Sequence, residues 1–285
     1  MAEEEAPHVV IEKLVKVYGD RTVLHGVDLT IGRSETLVII GGSGAGKSTL
    51  VRHLIALERP TSGKIMVDGV DIAALSDVEL NKARRRFGMV FQKYALFDSM
   101  TNFDNVAFPL REQTKLPEKE IRDRVLAKLR DLGVEHAAQL TPAQISGGMA
   151  KRVGIARALV MEPELLIYDE PTSGLDPVTS RTVDALIDEM RERFGVTSVV
   201  ITHDMVSAFD IADQMAMLIK GRVVAQGTPG EVLKHPDPDV QGFIQAAGVS
   251  LTRFASRTGR TPSRVLADKA RARIAAAEAE TVKKD

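Results

Sequence analysis

The chain has 285 residues, a formal net charge of −1 at pH 7 and no cysteine. This excludes disulfides, thiol nucleophiles and cysteine-ligated metals, and the balanced charge argues against a general polyanion binder. The length fits one large domain or two small ones. A hydrophobic fraction of 44% indicates a globular protein. The acidic start at residues 1–5 is unlike a signal peptide, and no apolar run has the length of a membrane span. We therefore expect any action at a membrane to come from the aqueous side.

The first elements predict a small antiparallel sheet. Residues 9–18 and 23–31 both alternate apolar and polar side chains, and Gly19 and Asp20 between them have turn character. Tyr18 ends the first of these strands. An aromatic residue there can be a structural sheet-edge side chain, or its ring can stack on a nucleobase.

A glycine-rich loop follows, between a predicted buried strand at residues 36–40 and a predicted helix at 50–57. The loop fits the pattern G-x-x-x-x-G-K-[ST], in which backbone N–H groups and the positive end of a helix surround phosphates. In this pattern Lys47 reaches the β- and γ-phosphates, and the Ser48 hydroxyl contacts Mg²⁺. We therefore predict that a phosphate chain is bound by Gly41, Gly42, Ser43, Gly44, Ala45, Gly46, Lys47, Ser48 and Thr49.

Three further elements follow this loop and its helix. The pattern predicts a short strand at 64–69, a polar helix at 75–86 and a strand at 87–92. Gln92 closes the last of these strands. A glutamine at a strand end can orient a water molecule or contact Mg²⁺, although a solvent-facing cap is the commoner role for such a residue.

The periodicity becomes helical from residue 93 to about residue 162, most clearly over 117–132 and 148–161. We interpret this region as a helical subdomain inserted into the core. Within it Ser146 can cap the following helix, and Gly147 and Gly148 leave the backbone N–H groups uncovered. This is a second candidate anion site, unless it is an ordinary capped helix.

An apolar strand at residues 165–168 runs into two carboxylates. Asp169 can belong to the Mg²⁺ shell of a P-loop NTPase, and Glu170 can orient or deprotonate an attacking water. Because strands also end in acidic residues by chance, this assignment depends on the glycine loop.

The remaining elements complete the predicted core. A tight loop at 171–177, a helix at 178–194 and a strand at 198–202 are followed by a hairpin at 215–227. The strand at 198–202 ends at His203. This histidine can contact a γ-phosphate, although a histidine at a strand end is more commonly structural.

These motifs, taken in order, resemble the nucleotide-binding subunit of ATP-binding cassette (ABC) transporters over about residues 9–233. The resemblance rests on Tyr18, 41–49, Gln92, Ser146-Gly147-Gly148, Asp169-Glu170, Ser173-Gly174-Leu175-Asp176 and His203. It implies an α/β fold, with a P-loop NTPase (RecA-like) core, an antiparallel β subdomain and a helical signature subdomain. The implied boundaries are 8–92 and 163–245 for the core with its β subdomain, 93–162 for the signature subdomain and 246–285 for a basic helical C-terminal extension.

The resemblance also implies which residues bind ATP and Mg²⁺. Tyr18 is implied to stack on adenine, and the other nucleotide-binding residues are those of the loop at 41–49, Ser146, Gly147, Gly148 and Asp176. The implied Mg²⁺ ligands are Ser48, Gln92 and Asp169.

Catalysis and assembly follow from the same resemblance. Glu170 is implied as the catalytic base and His203 as the γ-phosphate switch, and Lys47 and Gln92 complete the catalytic set. The family also implies a head-to-tail homodimer, in which Ser146 and Gly148 of one copy close the ATP site of the other.

A narrower resemblance is to the ATPases that power phospholipid trafficking with mammalian-cell-entry (MCE) domain proteins. It is carried by residues 91–101, 105–110, 146–153 and 168–180. It implies an integral membrane permease, an MCE-domain lipid-binding partner and a place at the cytoplasmic face of the inner membrane. The ATPase of an amino-acid importer is the alternative within transport.

An ABC ATPase that acts on ribosomes or DNA is a further alternative. Such proteins usually carry two cassettes or a long coiled-coil insertion, whereas this chain has one glycine loop and one signature. An aromatic content of 4% does not favour the stacking groove of a single-strand binder. We therefore expect no nucleic-acid partner.

Two segments are predicted to make contacts outside the ATP site. The basic, alanine-rich extension is either a solvated or dimer-packing helix or a contact for anionic lipid head groups. The stretch after Gln92 contains Phe97, Phe103 and Phe108. We expect some of these rings to fill the helical subdomain's core and the rest to line a groove for a short permease helix.

Overall fold

The computed structural model describes residues 6–91 and 95–247. Gln92 lies outside the described residues, as do residues 248–285, which include nearly all of the predicted extension. The strands of the described part are β1 (Val9–Tyr18), β2 (Arg21–Ile31), β3 (Thr36–Ile40), β4 (Ser62–Val67), β5 (Val70–Asp71), β6 (Phe87–Val90), β7 (Leu165–Asp169), β8 (Thr197–Thr202), β9 (Gln214–Ile219) and β10 (Arg222–Gly227). Its α-helices are α1 (Lys47–Leu54), α2 (Asp77–Arg84), α3 (Asn102–Gln113), α4 (Glu118–Asp131), α5 (Gly147–Leu159), α6 (Pro177–Phe194), α7 (Met205–Ile211), α8 (Pro229–Leu233) and α9 (Pro238–Ala246).

The strands form two sheets. One is antiparallel, with the order β2-β1-β4-β5, and the other has the order β10-β9-β3-β8-β7-β6. In the second sheet the strands from β9 to β6 run parallel, and β10 returns antiparallel beside β9. All residues of β3 and β8 are buried, which is why they have continuous apolar runs rather than alternation. The predicted α/β core with an antiparallel subdomain is confirmed.

The strand order determines where the candidate site lies. β8 lies between β3 and β7 in the parallel sheet, so the three strands end at the same edge. The glycine loop follows β3, Glu170 follows β7 and His203 follows β8. Ligands of open α/β sheets bind at this carboxyl edge. The fold therefore brings together three motifs that are far apart in sequence.

Among its described residues, the helical subdomain contains one α-helix more than the sequence predicts. The helices predicted at 117–132 and 148–161 are present as α4 and α5, and α3 packs against both of them. α3 has Pro109 in its interior, which argues against a helix in the sequence, while the Thr101 side chain caps it by accepting from the Asp104 N–H at 3.0 Å. Among the described residues, no helix is long and apolar enough to cross a membrane.

Short helices near the end of the described chain were also not predicted. α7, α8 and α9 are each capped by the side chain of the residue before them, Asp204, Thr228 and Asp237 respectively. The helix predicted at 50–57 instead spans Lys47–Leu54, because Lys47 and Ser48 form its first turn and the chain turns at Ala56, whose φ is 56°. The predicted domain boundaries stay a prediction.

An ion-pair cluster ties the two sheets together at the edge opposite the glycine loop. Arg86 donates to Asp68 and Glu164, and Arg33 also pairs with Asp68. Although burial alone would raise the pKa of Asp68, the cationic groups around it hold this pKa below its usual value. His8 lies beside both carboxylates, but these are already paired with arginines. The group therefore joins elements of the fold and is a poor candidate for a metal site.

Candidate nucleotide-binding and catalytic site

Two glycines let the phosphate loop pack tightly against the sheet. Gly46 has a φ of 105°, which is left-handed and favours glycine. A Cβ atom built on Gly41 would lie 2.2 Å from the backbone oxygen of Leu218. A larger residue at either position would strain the backbone or push the loop away from β9. These two positions explain why the loop between β3 and α1 must carry glycine.

The outer side of the same loop is open and electropositive. Built Cβ atoms on Gly42 and Gly44 meet no atom within 4 Å. No side chain caps the N-terminus of α1, because its N-cap residue is Gly46. The partial positive charge of a helix N-terminus thus faces open space, which is the arrangement that binds phosphate.

Lys47 and Asp169 lie close to each other at this edge. The Lys47 Nζ atom donates to the carbonyl oxygens of Gly41 at 2.8 Å and Gly42 at 3.1 Å, so its side chain lies along the loop. Burial and the adjacent charge of Glu170 raise the pKa of Asp169, while Lys47 oppositely lowers it. The end of β7 therefore faces the glycine loop, as the sequence predicts.

Glu170 is held in an unusual backbone conformation. Its φ is 49°, in the left-handed region that non-glycine residues seldom adopt. Its N–H group donates to the Ile201 carbonyl at 2.8 Å, and its carbonyl accepts from the Ser173 N–H at 3.2 Å. The chain thus leaves the direction of β7 while remaining bonded to β8. Strained residues of this kind cluster at functional sites.

His203 contacts the predicted base directly. Its Nδ1 atom lies 2.7 Å from Glu170 Oε2, which is hydrogen-bond distance between the imidazole and the carboxyl group. The His203 side chain is 64% exposed and that of Glu170 is 20% exposed. The structure therefore brings these two predicted residues together at the rim of the site.

Tyr18 lies beside the first helix after the loop. Its ring is 40% exposed, and its hydroxyl donates to Glu58. Burial and Glu58 raise the pKa of the Tyr18 hydroxyl, while Thr49 and Arg52 of α1 oppositely lower it. The ammonium of Lys16 lies 5.0 Å from the ring centroid. Tyr18 is thus next to Thr49, where an aromatic ring can reach a bound base.

The signature residues form a second helix N-terminus, on the surface of the helical subdomain. Ser146 caps α5 by accepting from the Met149 N–H at 3.3 Å. Ser146, Gly147 and Gly148 are all exposed, and Cβ atoms built on the two glycines meet nothing within 4 Å. The site is therefore open to a second molecule.

Asp176 has a defined structural role within the chain. Its carboxylate caps α6 by accepting from the N–H groups of Val178 at 2.9 Å and Thr179 at 3.1 Å. These bonds, with one from the Thr179 hydroxyl, hold the pKa of Asp176 below its usual value. Its predicted contact with a nucleotide stays a prediction, as does every role of Gln92, which lies outside the described residues.

Sequence reasoning missed a buried polar group behind the site. Lys151 of α5, Asp184 of α6 and Ser207 of α7 are 4%, 7% and 2% exposed. One signal was available for Lys151, because it falls in the same i, i+4, i+8 stripe as the buried Ile155 and Leu159. A lysine in an apolar stripe marks a buried charge.

A parallel sheet with a glycine loop, a carboxylate pair and a histidine at its carboxyl edge defines a P-loop ATPase. The sequence matches the ABC transporter family over residues 24–173. The intermembrane phospholipid transport system ATP-binding protein MlaF of Haemophilus influenzae is 39% identical over 246 residues, which are 86% of this chain and 93% of that protein.

Two other comparisons give the same family. The methionine import ATP-binding protein MetN 2 of Rhodococcus jostii is 45% identical over 264 residues, 89% of this chain and 77% of that protein. The solved structure of the ATP-binding cassette MJ0796, a dimer bound to ADP and Pi in a post-hydrolysis state, matches with a TM-score of 0.68 and 34% identity, over 77% of this chain and 98% of the other. The chain belongs to the ABC transporter family. It is an ATPase subunit that binds and hydrolyses ATP.

Proposed function

We propose that the chain hydrolyses Mg-ATP as a head-to-tail homodimer and that hydrolysis drives phospholipid transport through a membrane permease. One observation carries the catalytic part of this proposal. It is the 2.7 Å contact between Glu170 and His203, at the sheet edge where the phosphate loop also begins. A carboxylate held by a histidine beside a phosphate site is suited to orient and deprotonate water.

The acidic end of β7 fits a divalent cation. Burial and the neighbouring charge of Glu170 raise the pKa of Asp169, while Lys47 and Arg52 lower it, so a cation bound there would stabilise the ionised carboxylate. We assign the ion to Asp169 and the Ser48 hydroxyl, with Gln92 as the third ligand that the family resemblance implies. Mg²⁺ bound there neutralises charge on the transferred phosphoryl group.

The chain's own residues have separate tasks in this account. Lys47 and the N-terminus of α1 bind the β- and γ-phosphates. Glu170 orients the attacking water and accepts its proton. His203 fixes the Glu170 carboxylate from Nδ1 and contacts the γ-phosphate with its other ring nitrogen. Tyr18 stacks on the adenine.

The head-to-tail dimer is supported by the open signature helix. Ser146 and Gly148 are exposed, and the first turn of α5 has backbone N–H groups without a bulky side chain in front of them. The similar MJ0796 cassette is a dimer with ADP and Pi bound. We infer that the signature of one copy binds the phosphates held by the glycine loop of the other.

The phospholipid assignment rests on sequence similarity. It is supported by the similar MlaF protein and by the signature form Ser146-Gly147-Gly148-Met149-Ala150-Lys151-Arg152. An amino-acid importer is the second candidate, favoured by 45% identity to MetN 2. The membrane partners we propose are an integral permease and an MCE-domain lipid-binding protein, with the ATPase at the cytoplasmic face of the inner membrane.

The permease contact is proposed at an aromatic surface beside α3. Phe97 is 42% exposed, and its ring centroid lies 5.0 Å from that of Phe108. The Arg157 guanidinium of α5 lies 5.8 Å from the Phe97 centroid. By contrast, Phe103 packs partly buried against the core. Exposed aromatic anchors of this kind contribute most of the binding energy at interfaces.

Copurification tests the permease contact. Met100 is a partly buried neighbour of Phe97, and its N–H donates to the Phe97 carbonyl at 3.1 Å. We expect Phe97→Ala combined with Met100→Ala to lose the permease while retaining ATP binding and folding. Val78, which is 69% exposed on α2, offers a matched control, and Val78→Ala should retain the permease. Unchanged copurification of the double variant would place the contact elsewhere.

Reconstitution of the copurified complex in vesicles separates the two transport candidates. For a phospholipid transporter we expect phospholipid bound to the complex by mass spectrometry and ATP turnover that responds to phospholipid but not to methionine. A response to methionine alone would favour the importer. A Glu170→Gln complex is the control, because it should show neither response.

A further inference from the structure

Three buried polar side chains connect the signature helix to the two catalytic strand ends. They are Lys151 on α5, Asp184 on α6 and Ser207 on α7, and each is at most 7% exposed. None of them belongs to the ATP site described above. Their partners, however, are backbone and side-chain groups next to Glu170 and His203.

Lys151 reaches the loop that carries the proposed base. Its Nζ atom donates to the carbonyl oxygen of Pro171, the residue immediately after Glu170. The Pro171 carbonyl comes directly after the left-handed backbone turn at Glu170, where φ is 49°. Lys151 follows Ser146 by less than two helical turns on α5. One rigid helix therefore joins the signature to the backbone turn at Glu170.

Asp184 extends the connection to the histidine. Its Oδ1 atom accepts from the Ser207 hydroxyl at 2.5 Å. Ser207 lies in the first turn of α7, where its N–H donates to Asp204 Oδ1 at 3.2 Å, and Asp204 directly follows His203. The acidic group whose charge acts on Lys151 is therefore bonded to the helix that begins beside His203.

Burial disfavours both ionised groups. It lowers the pKa of Lys151 to about 8 and raises that of Asp184 to about 6. The groups that act on Asp184 are Lys151 on the neighbouring helix, the Ser207 hydroxyl, and the carboxylates of Asp188, Asp204 and Asp210. Buried charges of this kind commonly contribute little to stability compared with apolar side chains of the same size. Stability alone is thus a poor reason for their presence.

We propose that Lys151 is a positioning residue, which holds the Glu170 turn to the signature helix through the Pro171 carbonyl, with Asp184 as its counter-charge. This inference rests on the proposed role of Glu170 as the base. In the dimer, a signature helix that binds the partner's phosphates is thereby tied to the base of its own copy. When the signature of one copy moves on the partner's phosphates, it therefore shifts the base, and with it the attacking water, in the ATP site of its own copy.

The test is Lys151→Met, which retains the apolar stem and removes the donor and the charge. We expect kcat to fall on the order of tenfold or more, because small displacements of catalytic groups have effects of this size. KM for ATP should stay within about twofold, since no group that binds ATP is changed. In a Glu170→Gln background, ATP should still induce the dimer of the Lys151→Met chain.

Two further variants separate positioning from folding. Lys128 is also a largely buried lysine, 4.2 Å from the Phe194 centroid and outside the site, so Lys128→Met is the matched control and should retain kcat. Lys151→Met with Asp184→Asn removes both charges and retains an acceptor for Ser207. This pair should unfold at or above the parent temperature and yet hydrolyse ATP slowly.

Each outcome supports or overturns the inference. Lys151→Gln, which retains an N–H donor, should recover part of the lost kcat, and it is measured in the same way if Lys151→Met does not fold. The positioning role would be overturned if Lys151→Met and Lys128→Met lost the same share of kcat. It would also be overturned if the double variant recovered both its stability and the kcat of the parent. If Glu170→Gln is slow and Lys151→Met is fully active, only this inference is refuted. If Glu170→Gln is itself fully active, the proposed base is refuted.

Discussion

The helix N-termini of α1 and α5 are both candidate anion sites, and they are built in opposite ways. At α1 the N-cap is Gly46, no side chain caps the helix, and the loop is packed against the sheet. At α5 the N-cap is Ser146, whose hydroxyl caps the helix, and the surface around it is open. The first site is packed against strands of its own chain, while the second faces outward. This difference fits the proposal that the first binds the phosphates and the second contacts phosphates held by another copy.

We call the N-terminus of α1 with its glycine loop the inner site, and the N-terminus of α5 the outer site. The largest effect is expected at the inner site. Lys47→Ala removes the main cationic partner of the phosphates, so ATP turnover should fall by about a hundredfold or more. A steady-state ATPase assay with a nucleotide-binding measurement checks this. Lys64→Ala, on the exposed surface of β4, should behave like the parent. Turnover that survives Lys47→Ala would remove the glycine loop from the reaction.

Glu170→Gln should slow hydrolysis by about 10² to 10⁴ while retaining ATP binding, because an amide is a poor proton acceptor. The trapped ATP should then hold two copies together. Glu112→Gln, on an exposed acid of α3, is the control for loss of one carboxylate. Single-turnover kinetics measure the effect, and a parent rate would show that another group is the base.

A third prediction concerns the connection between the two regions. Burial raises the pKa of Asp184 to about 6 in the folded chain, against a usual value of 3.8. Between these two pH values the folded chain holds a proton that the unfolded chain releases, so stability falls as pH rises through this window. The pKa difference is about 2.2, and at about 1.4 kcal/mol per pKa unit the free energy of unfolding falls by about 3 kcal/mol across this window. Denaturant unfolding of the parent should show this difference from Asp184→Asn between about pH 4 and 6, and equal pH profiles would contradict it.

At the outer site, Ser146→Ala should lower ATP turnover about tenfold. It also removes the cap of α5, which costs about 1 kcal/mol of stability. Ser76→Ala removes the comparable cap of α2, so it controls for stability alone. Denaturation and ATPase assays on both variants separate the two effects. If Ser76→Ala reduces turnover as much as Ser146→Ala does, the signature hydroxyl has no special role.

The smallest effect is expected for a methyl group added at the outer site, in contrast to the same change at the inner site. Gly46→Ala must place a side chain at a φ of 105°, so we expect a loss of about 1 to 3 kcal/mol in stability. Gly148→Ala lies inside α5 and should be neutral or stabilising by up to about 1 kcal/mol. Thermal unfolding of the two variants checks the comparison. A destabilised Gly148→Ala would show that the outer site is also constrained by its own chain.

The grouping of residues at the inner site could be predicted from the sequence, because most of the pattern is local; their roles stay a prediction. The loop at 41–49 and its flanking strand and helix are adjacent in the chain, so pattern and context could be judged together. Asp169, Glu170 and His203 were also predictable, since parallel strands end at one edge of a sheet. The missing information was the backbone turn at Glu170 and its contact with His203, which depend on tertiary packing.

Two features were hidden from sequence reasoning for a physical reason. α3 contains Pro109, whose missing N–H argues against a helix, whereas the Thr101 cap and the packing against α4 and α5 favour it. Asp184 has a charge that usually indicates a surface, so its burial becomes visible only when α6 is placed. For Lys151 the apolar stripe of α5 indicates burial, but its Pro171 partner is known only from the fold.

ATP-dependent dimerisation tests the central claim most directly, namely that the outer site of one copy completes the inner site of another. In a Glu170→Gln background, light scattering should show a dimer with Mg-ATP and a monomer without it. Gly148→Asp in the same background places a negative charge at the signature, where it repels phosphate. The account predicts that this chain binds ATP with unchanged affinity and remains monomeric. A dimer formed equally well by the Gly148→Asp chain would contradict it.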